Sequence, residues 1–498
     1  MIMIGSSKFM KMRKKENGSA LVYALVIMTV VLIVLVSMIS YVVGQLKFSY
    51  NRAEKEKAFQ TAEAGVYYYR WYLAHQTSGK TPQQIQDFWT GGEAIGVGST
   101  FVQNYEGIGQ FNLSVTPPSA GSTIVTVTSE GYTFKEPEIK RTVKVRFRRP
   151  SWSEYIFLSN SFINFGDQSE VWGKVHSNFG IRFDGIAHNT VSALPAKFND
   201  PSHSGCNEFG VHTHRGTNDP CAPSNNPPWP ANTVPNRPDV FMGGREFPVP
   251  EISFSGVTAD LSNMKAQAQA GNGRYFNKDA NGDGVDDYGR HIILKNDGTY
   301  DICTVIKANN SHDIANSKGY QKNSGTGTCD SCSGQCLSNH SIVNDGVIFV
   351  ENHVWVEGSI NNKRLSIVAA NLSGGGDKKD IYIGISNDNL RYSSYNCDNM
   401  LGLVAQRDVR VLNNCPSNFT VDAALLAQTG LVGIVTGMGG KYSLTFNGAI
   451  ASYLQPYFQD GGSGFADRHY NFNNDLLYCP PPYFPTGNEY AIDLWEEL

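Results

Sequence analysis

The chain of 498 residues carries 41 lysines and arginines against 45 aspartates and glutamates, so its formal net charge is -4. This length predicts two or three domains, and a charge so near zero, with basic residues gathered only in the leader and around 140–149, gives no indication of a nucleic-acid partner. With 50 glycines and only 17% charged residues, the composition favours turn-rich β structure outside the cytoplasm over a helical cytosolic enzyme.

The first predicted element is an apolar run in which no charged side chain occurs between Glu16 and Lys47. Its segment 20–43 is longer than the roughly 7 to 15 apolar residues of a cleaved secretory signal. As a helix it extends about 36 Å, enough to cross a hydrocarbon core of about 30 Å. We therefore predict a single-pass transmembrane helix. The basic leader, residues 1–18, places the N-terminus in the cytoplasm and the bulk of the chain outside.

The helix is predicted to continue past the membrane to residue 76, because the following sequence contains no helix breaker. One apolar stripe recurs at alternating steps of three and four residues, formed by Phe59, Ala62, Val66, Tyr69 and Leu73. This periodicity alone permits a membrane anchor with a soluble extension.

The residues around the apolar run form a further pattern: a basic leader ending in Gly18, the small residue Ser19, some two dozen apolar residues, and AFQTAEAG at 58–65. This N-terminus resembles the type IV pilin-like proteins of the PilX class. The resemblance implies that a prepilin peptidase cuts between Gly18 and Ser19, and that the helix packs with other pilin-like subunits. Major pilins carry a glutamate at the fifth mature position, where this chain has Tyr23. The resemblance therefore favours a minor component over a bulk filament subunit.

Residues 77–150 are predicted to form a small antiparallel sheet. The segments FNLSVTP, STIVTVTSEG and IKRTVKVRF alternate apolar or β-branched residues with polar ones, and proline and glycine turns separate them. A long helix on such a sheet is the α+β head of pilin-like proteins, so residues 19 to about 149 are predicted to be one unit.

The segment 151–478 is predicted to be all-β. Short apolar runs recur at roughly 20 to 25 residues between glycine, asparagine and aspartate punctuation, a spacing that favours a right-handed parallel β-helix. A large β-sandwich is the alternative. Stretches such as DGVIFVENHVWVEGSI and DAALLAQTG also resemble an uncharacterised domain that follows PilX-type N-termini in bacterial envelope proteins. That resemblance implies architecture and no activity. Residues 479–498 are predicted to be a C-terminal tail.

The strongest predicted site is the loop NKDANGDGVDDYG. Its acidic and amide side chains alternate with residues that permit tight turns, so several oxygens can converge on a hard cation. The glutamate expected at the twelfth position of an EF-hand is absent, since Arg290 stands there, and the loop is similar to nine-residue calcium loops of extracellular proteins. We predict a structural Ca²⁺ ion with five ligands: Asp279, Asn281, Asp283, the carbonyl of Val285, and Asp287.

Nine cysteines, all beyond the apolar run, predict disulfides in an oxidising compartment. The expected local pairs are Cys206 with Cys221 and Cys397 with Cys415, and Cys479 is the expected unpaired thiol. The remaining cysteines are Cys303, Cys329, Cys332 and Cys336. These four could bind a metal, but a structural zinc site usually uses two separated pairs of ligands, so disulfides are favoured.

Catalytic motifs are weak in this sequence. His212 and His214 could be ligands or bases, but spacing places no acidic partner beside them, and the sequence has no G-x-S-x-G or H-E-x-x-H motif. We predict a non-catalytic minor pilin or adhesin-like component of a type IV pilus or pseudopilus. Its expected partners are the membrane, other pilin-like subunits, prepilin peptidase, and a surface glycan or protein. The alternatives are a permanently anchored surface scaffold and a β-helical polysaccharide-degrading enzyme.

Overall fold

The structure is a computed structural model. It describes residues 19–78, 80, 82–118, 122–149, 151–203, 205–254, 257–278, 287–310, 312–319, 337–373, 376–486 and 490–498. The predicted leader, 1–18, lies outside these ranges. The described chain begins with helix α1 (Ser19–Thr77), 59 residues long. Two shorter helices follow, α2 (Pro82–Thr90) and α3 (Val257–Gln269).

One antiparallel sheet packs against the C-terminal half of α1. Its strands are β1 (Phe101–Tyr105), β2 (Gly109–Thr116), β3 (Val125–Thr133), β4 (Lys140–Arg148) and, from the C-terminus, β33 (Ala491–Glu497), in that spatial order. Alternate residues of β3 are buried from Val125 to Thr133, because successive side chains of a strand point to opposite faces and only one face meets the helix. We call α1 from residue 51, α2 and this sheet the head. The expected helix on an antiparallel sheet is confirmed.

The predicted C-terminal tail needs correction, because residues 491–497 form the fifth strand of the head sheet. This strand pairs antiparallel with β4, with Trp495 opposite Val145. A shift of register between Ile492 and Leu494 interrupts the two-residue alternation that marks a strand in sequence. That interruption explains why the periodicity did not indicate a strand here.

The β domain lies between β4 and β33 in the chain. Its strands are β5 (Phe157–Ser159), β6 (Ile163–Phe165), β7 (Ser169–Trp172), β8 (Val175–Ser177), β9 (Ile181–Phe183), β10 (Ile186–Ala187), β11 (Val191–Ala193), β12 (Lys197–Phe198), β13 (Glu208–Phe209), β14 (Val211–His212), β15 (Arg245–Glu246), β16 (Gly273–Phe276), β17 (Gly289–Leu294), β18 (Thr299–Ala308), β19 (Ile314–Gly319), β20 (Leu337–Ser341), β21 (Gly346–Val350), β22 (His353–Ile360), β23 (Arg364–Ala369), β24 (Ile381–Ile383), β25 (Leu390–Tyr392), β26 (Met400–Ala405), β27 (Val409–Val411), β28 (Asn418–Ala427), β29 (Val432–Ile434), β30 (Gly440–Ser452), β31 (Gln459–Asp460) and β32 (Ser463–Phe472).

Most pairs between these strands are parallel and form ladders. The first ladder runs β16-β21-β23-β26-β28-β30-β5-β8-β11-β15. The second runs β17-β22-β25-β28-β30-β32-β7-β10. Shorter parallel ladders are β22-β24-β27-β29 and β6-β9-β14. Antiparallel pairs join β18 to β17, β19 and β20 at one side.

Equivalent positions of the first ladder stack into a buried apolar column. Each residue of this column is the register partner of the one before it on the neighbouring strand. In order, the residues are Ile348, Ile367, Leu403, Leu425, Ile450, Phe157, Val175 and Val191. Burying an aliphatic side chain of this size contributes about 1.5–3 kcal/mol. Each strand of this ladder therefore covers its apolar residue with that of the next strand.

Helix α3 lies inside the segment that was predicted to be all-β, and this prediction is therefore corrected. It buries Leu261, Met264 and Ala268 beside Val347 and Phe349 of β21. The steps of three and four residues between its buried side chains are those of a helix face. The helix also faces the head, where the Nε2 of Gln267 donates to the Oε1 of Gln86 at 3.1 Å.

Candidate functional site

The N-terminal half of α1, residues 19–50, is exposed along its whole length and almost wholly apolar; we call it the stem. Leu25, Ile33 and Ile39 are 61%, 66% and 62% exposed. By length and composition, α1 is the one helix of the described ranges that is able to cross a membrane. Two of its hydroxyl groups pair within the helix, since the Oγ1 of Thr29 donates to the carbonyl of Val26 and the Oγ of Ser37 to the carbonyl of Ile33, both at 2.8 Å. This internal pairing suits apolar surroundings.

The C-terminal half of α1 is fixed on the head sheet through small residues. A Cβ atom on Gly131 of β3 would overlap the backbone nitrogen of Ala62, and one on Gly65 would overlap the Oγ of Ser129. Ala58 and Ala62 are fully buried. The small residues of the AFQTAEAG stretch thus let the helix approach the sheet closely.

The predicted stripe of α1 is buried in the same interface. Ala62, Val66, Tyr69 and Leu73 are each 0% exposed and share one core with the sheet, while Phe59 is partly buried against it. The stem and the part of α1 that packs on the sheet are therefore one unbroken helix.

A buried carboxylate closes the end of this interface that lies nearest the stem. The Oε1 of Glu54 accepts from the Nζ of Lys57 at 2.7 Å, and its Oε2 accepts from the Oγ1 of Thr133 at 2.8 Å. These hydrogen bonds, from Lys57 first, lower the pKa of Glu54. The carboxylate is 1% exposed, so it is held ionised at neutral pH although it is buried.

The predicted calcium loop lies mostly outside the described residues. Asp279, Asn281, Asp283 and Val285 belong to the undescribed range 279–286. Asp287 is described, and its Oδ2 accepts from the Nη2 of the fully buried Arg290 at 2.5 Å. The cation expected near Asp287 would therefore share that carboxylate with an arginine.

Two disulfides join cysteines of the described ranges. Cys206 and Cys221, the expected local pair, are bonded with Cα atoms 5.8 Å apart. Cys303 is also disulfide-bonded. The cysteines at 329, 332 and 336 lie outside the described residues.

The expected pairing of Cys397 with Cys415 is wrong. Cys397 is bonded to Cys479, 82 residues away, and Cys415 is a buried free thiol. The segment after Cys479 crosses the β domain, where the Nη2 of Arg364 donates to the carbonyl of Pro480 at 2.9 Å. That crossing brings Cys479 to Cys397. Burial raises the pKa of Cys415 to about 11.

Histidines and carboxylates converge in the loops around β12, β13 and β14. We call five of these residues the histidine cluster: Asp200, His203, Glu208, His212 and His214. These residues form two groups of three, and within each group the possible ligand atoms all lie within 4.8 Å of one another. The first group is Asp200, His212 and His214, and the second is His203, Glu208 and His214. The disulfide between Cys206 and Cys221 closes the loop that carries three of these five residues, Glu208, His212 and His214.

The spacing of the sequence did not place an acidic residue beside His212 or His214, but the structure does. Asp200 Oδ2 lies 3.3 Å from His212 Nε2, and Glu208 Oε1 lies 3.5 Å from His214 Nε2. The sequence did indicate this cluster in one way, because all five histidines and carboxylates fall within the short stretch FNDPSHSGCNEFGVHTH.

Comparison with known proteins finds one family, described as PilX N-terminal, whose model matches residues 17–66. No curated protein matches the sequence at a significant level. Among solved structures, the competence-associated pilin ComZ from Thermus thermophilus is 13% identical with a TM-score of 0.32, over 89% of this chain and 97% of that chain. The family match includes the whole stem and the small residues that pack on the sheet.

Proposed function

We infer that this chain, whose N-terminal region is of the type IV pilin-like, PilX type, is a non-catalytic minor pilin or adhesin-like component of a type IV pilus or pseudopilus. The observation that carries this proposal is that the family model matches residues 17–66, most of helix α1. This helix is continuous, exposed along its apolar N-terminal half and packed on the head along its C-terminal half. An exposed apolar surface of this extent requires a lipid or protein partner. The partners proposed are the membrane and the stems of other pilin-like subunits.

Processing by prepilin peptidase gives the first experiment. With the N-terminus in the cytoplasm and the head outside, the mature chain is expected to begin at Ser19. N-terminal sequencing of the purified protein checks this, with Gly18→Leu as the variant that should stay uncleaved. Gly44→Leu is the matched control, because nothing lies within 4 Å of a Cβ atom at Gly44. A wild-type protein that keeps residues 1–18 contradicts the proposal.

Permanent anchoring is the second candidate, and Tyr23 favours it. A glutamate at this position would pair with the new N-terminal amine of a neighbouring subunit, which the tyrosine is unable to do. Shearing pili from cells and probing both fractions for this chain separates the two candidates. Recovery in the sheared fraction supports a filament component, and recovery only in the membrane supports a surface scaffold.

For the β domain we propose a parallel β-helix. The parallel register of the first and second ladders supports it, since a β-sandwich is built mainly from antiparallel neighbours. Such a rigid body would display a surface for a glycan or a protein. The polysaccharide-degrading alternative is tested by incubating the full chain with a polysaccharide panel, where turnover would overturn the non-catalytic proposal.

We also propose, from the sequence, that the loop at 279–287 binds a structural Ca²⁺ ion. Its support is the D-x-N-x-D spacing at 279–283, whose side chains are the oxygen ligands that Ca²⁺ prefers. Removal of Ca²⁺ is expected to lower the melting temperature of the wild type but not of Asp283→Ala. Asp286→Ala is the control, since residue 286 is not among the five predicted ligands. Equal calcium dependence in wild type and Asp283→Ala contradicts it.

A further inference from the structure

When the ring of His212 is neutral, the nitrogen that faces the carboxylate of Asp200 carries no proton and is unable to donate a hydrogen bond to it. Its Nδ1 lies 3.0 Å from the carbonyl oxygen of Phe209, which accepts only, so Nδ1 carries the proton. In the neutral ring, Nε2 then presents a lone pair to Asp200 Oδ2 at 3.3 Å. Two fully buried acceptors at this distance are satisfied by a proton on Nε2, which makes the ring an imidazolium, or by a metal ion bound to both.

Glu208 presents a second set of unpaired atoms to the same space. Its side chain is 0% exposed, and neither carboxylate oxygen has a hydrogen-bond partner among the described residues. The Nδ1 of His203 lies 2.6 Å from Glu208 Oε1, yet the two do not form a hydrogen bond, and the Nε2 of His214 is also without one. A buried carboxylate left in this state is costly.

When the three histidines are neutral, the charges around the cluster leave a deficit of positive charge. Arg182 is the nearby cation, with its Nη1 3.7 Å from Asp200 Oδ2, but its Nε donates to Asp184 Oδ2 at 2.7 Å. Ser202 donates to Asp200 through both N and Oγ, at 2.8 and 2.7 Å. With Arg182 balanced by Asp184, a divalent ion would balance Asp200 and Glu208.

The distances fit an ion of zinc size. Ligand atoms at about 2.1 Å from a tetrahedral ion are about 3.4 Å apart. Glu208 and His214 are 3.5 Å apart and Asp200 and His212 are 3.3 Å apart, whereas His203 and Glu208, at 2.6 Å, would have to separate when the ion binds. The ligand backbone is also held in place, since the amide of His214 donates to Asp184 Oδ1 at 2.7 Å. Small adjustments of side chains would complete a four-coordinate shell.

The geometry points to a metal site in the histidine cluster, which binds one divalent transition-metal ion of the zinc class through His203, Glu208 and His214, whose ligand atoms lie within 4.8 Å of one another, while Asp200 and His212 form the neighbouring group that shares His214. Imidazoles and carboxylates together favour zinc-like ions over the all-oxygen shell of calcium. The ion would clamp the loops beside β14, the terminal strand of the short ladder β6-β9-β14. This proposal stands independently of pilus assembly.

The experiment is a zinc titration of the full-length chain in detergent, prepared without a polyhistidine tag and stripped with a chelator. One zinc ion is expected to bind per chain and to raise the melting temperature. Glu208→Gln and His214→Ala are each expected to weaken binding at least 100-fold. His469→Ala is the matched control, because this partly exposed histidine pairs with Asp467 and Glu170 outside the cluster.

Cobalt replaces zinc in a second measurement that does not depend on the variants. A visible spectrum of tetrahedral cobalt without a thiolate charge-transfer band supports the site. A thiolate band would place the ion on cysteines and overturn the proposal. Failure of the stripped wild type to bind zinc, or equal zinc binding by wild type and Glu208→Gln, would also overturn it.

Discussion

Glu54 is a buried charge at the point where the stem meets the head, and its hydrogen bonds to Lys57 and Thr133 make stability depend on pH. The pKa of Glu54 is lower in the folded chain than the usual value near 4.3. Its stabilisation is therefore present above the unfolded pKa and is lost as pH falls through the lower folded pKa.

We expect the Glu54→Gln variant to melt below the wild type at neutral pH, and the difference to shrink as the pH falls below the usual glutamate pKa of about 4.3 and through the lower pKa of the folded chain. Thermal unfolding of the full chain over this range measures it. Glu56→Gln, at an exposed position of the same helix, should follow the wild type. A difference that does not change with pH would show that the carboxylate charge has no part in the contact.

Gly131 provides a test of the close approach between α1 and β3. Because a Cβ atom at this position meets the backbone of Ala62 and Ala58, which has no side-chain freedom to yield, Gly131→Ala should cost about 1–3 kcal/mol of stability. Gly439→Ala is the control, since its nearest neighbour would be the Oδ1 of Asn413 at 3.5 Å. Denaturant unfolding compares them, and equal losses would mean that the approach is looser than described.

At the scale of elements, the sequence predicted those helices and strands whose apolar residues recur at a regular local spacing. Helix α1 was predictable because its stripe continues without a breaker to Leu73, and the strands of the head sheet because their residues alternate. Strand β33 was missed because the register shift after Ile492 breaks the alternation. The histidine cluster was missed because Asp200 and Glu208 acquire their histidine partners only when β13 and β14 turn back on the chain.

The disulfide of Cys397 shows the same limit, because its partner Cys479 is 82 residues away and the crossing of the segment after Cys479 brings the two together. Peptide mapping without reduction should yield a cross-linked peptide pair containing Cys397 and Cys479, alongside the local pair of Cys206 and Cys221. Cys415 should resist alkylation until denaturant is added, since it is buried and its thiol has a raised pKa. A peptide joining Cys397 to Cys415 would refute the assignment.

At the scale of the whole molecule, the β domain is an insertion in the edge of the head sheet. The chain leaves after β4 and returns before β33, and these two connections lie side by side: Ser151 bridges Thr486, and the amide of Trp152 donates to the carbonyl of Pro485 at 3.1 Å. Adjacent connections of this kind let an inserted domain be removed without separating the strands of its host.

We therefore expect a variant in which residues 152–485 are replaced by a short glycine-serine linker to keep the head folded. Hydrogen exchange should show protected amides in β3 and β4, as in the full chain, because β33 still reaches β4. The control joins residue 150 directly to a stop codon and so lacks β33, and its β4 amides should exchange faster. Equal exchange in the two variants would argue against the fifth strand.

The place of β5 in the first ladder has a consequence for how the chain folds. Ile450 of β30 lies on Phe157 of β5, so these two neighbouring strands pair residues that are 293 positions apart in the chain. The strands β5, β8 and β11 are made first, and the edge of this group at β5 stays unpaired until residue 452 has been synthesised. Because such distant pairings form slowly and open strand edges associate with other chains, we expect the nascent β domain to depend on a chaperone until β30 arrives.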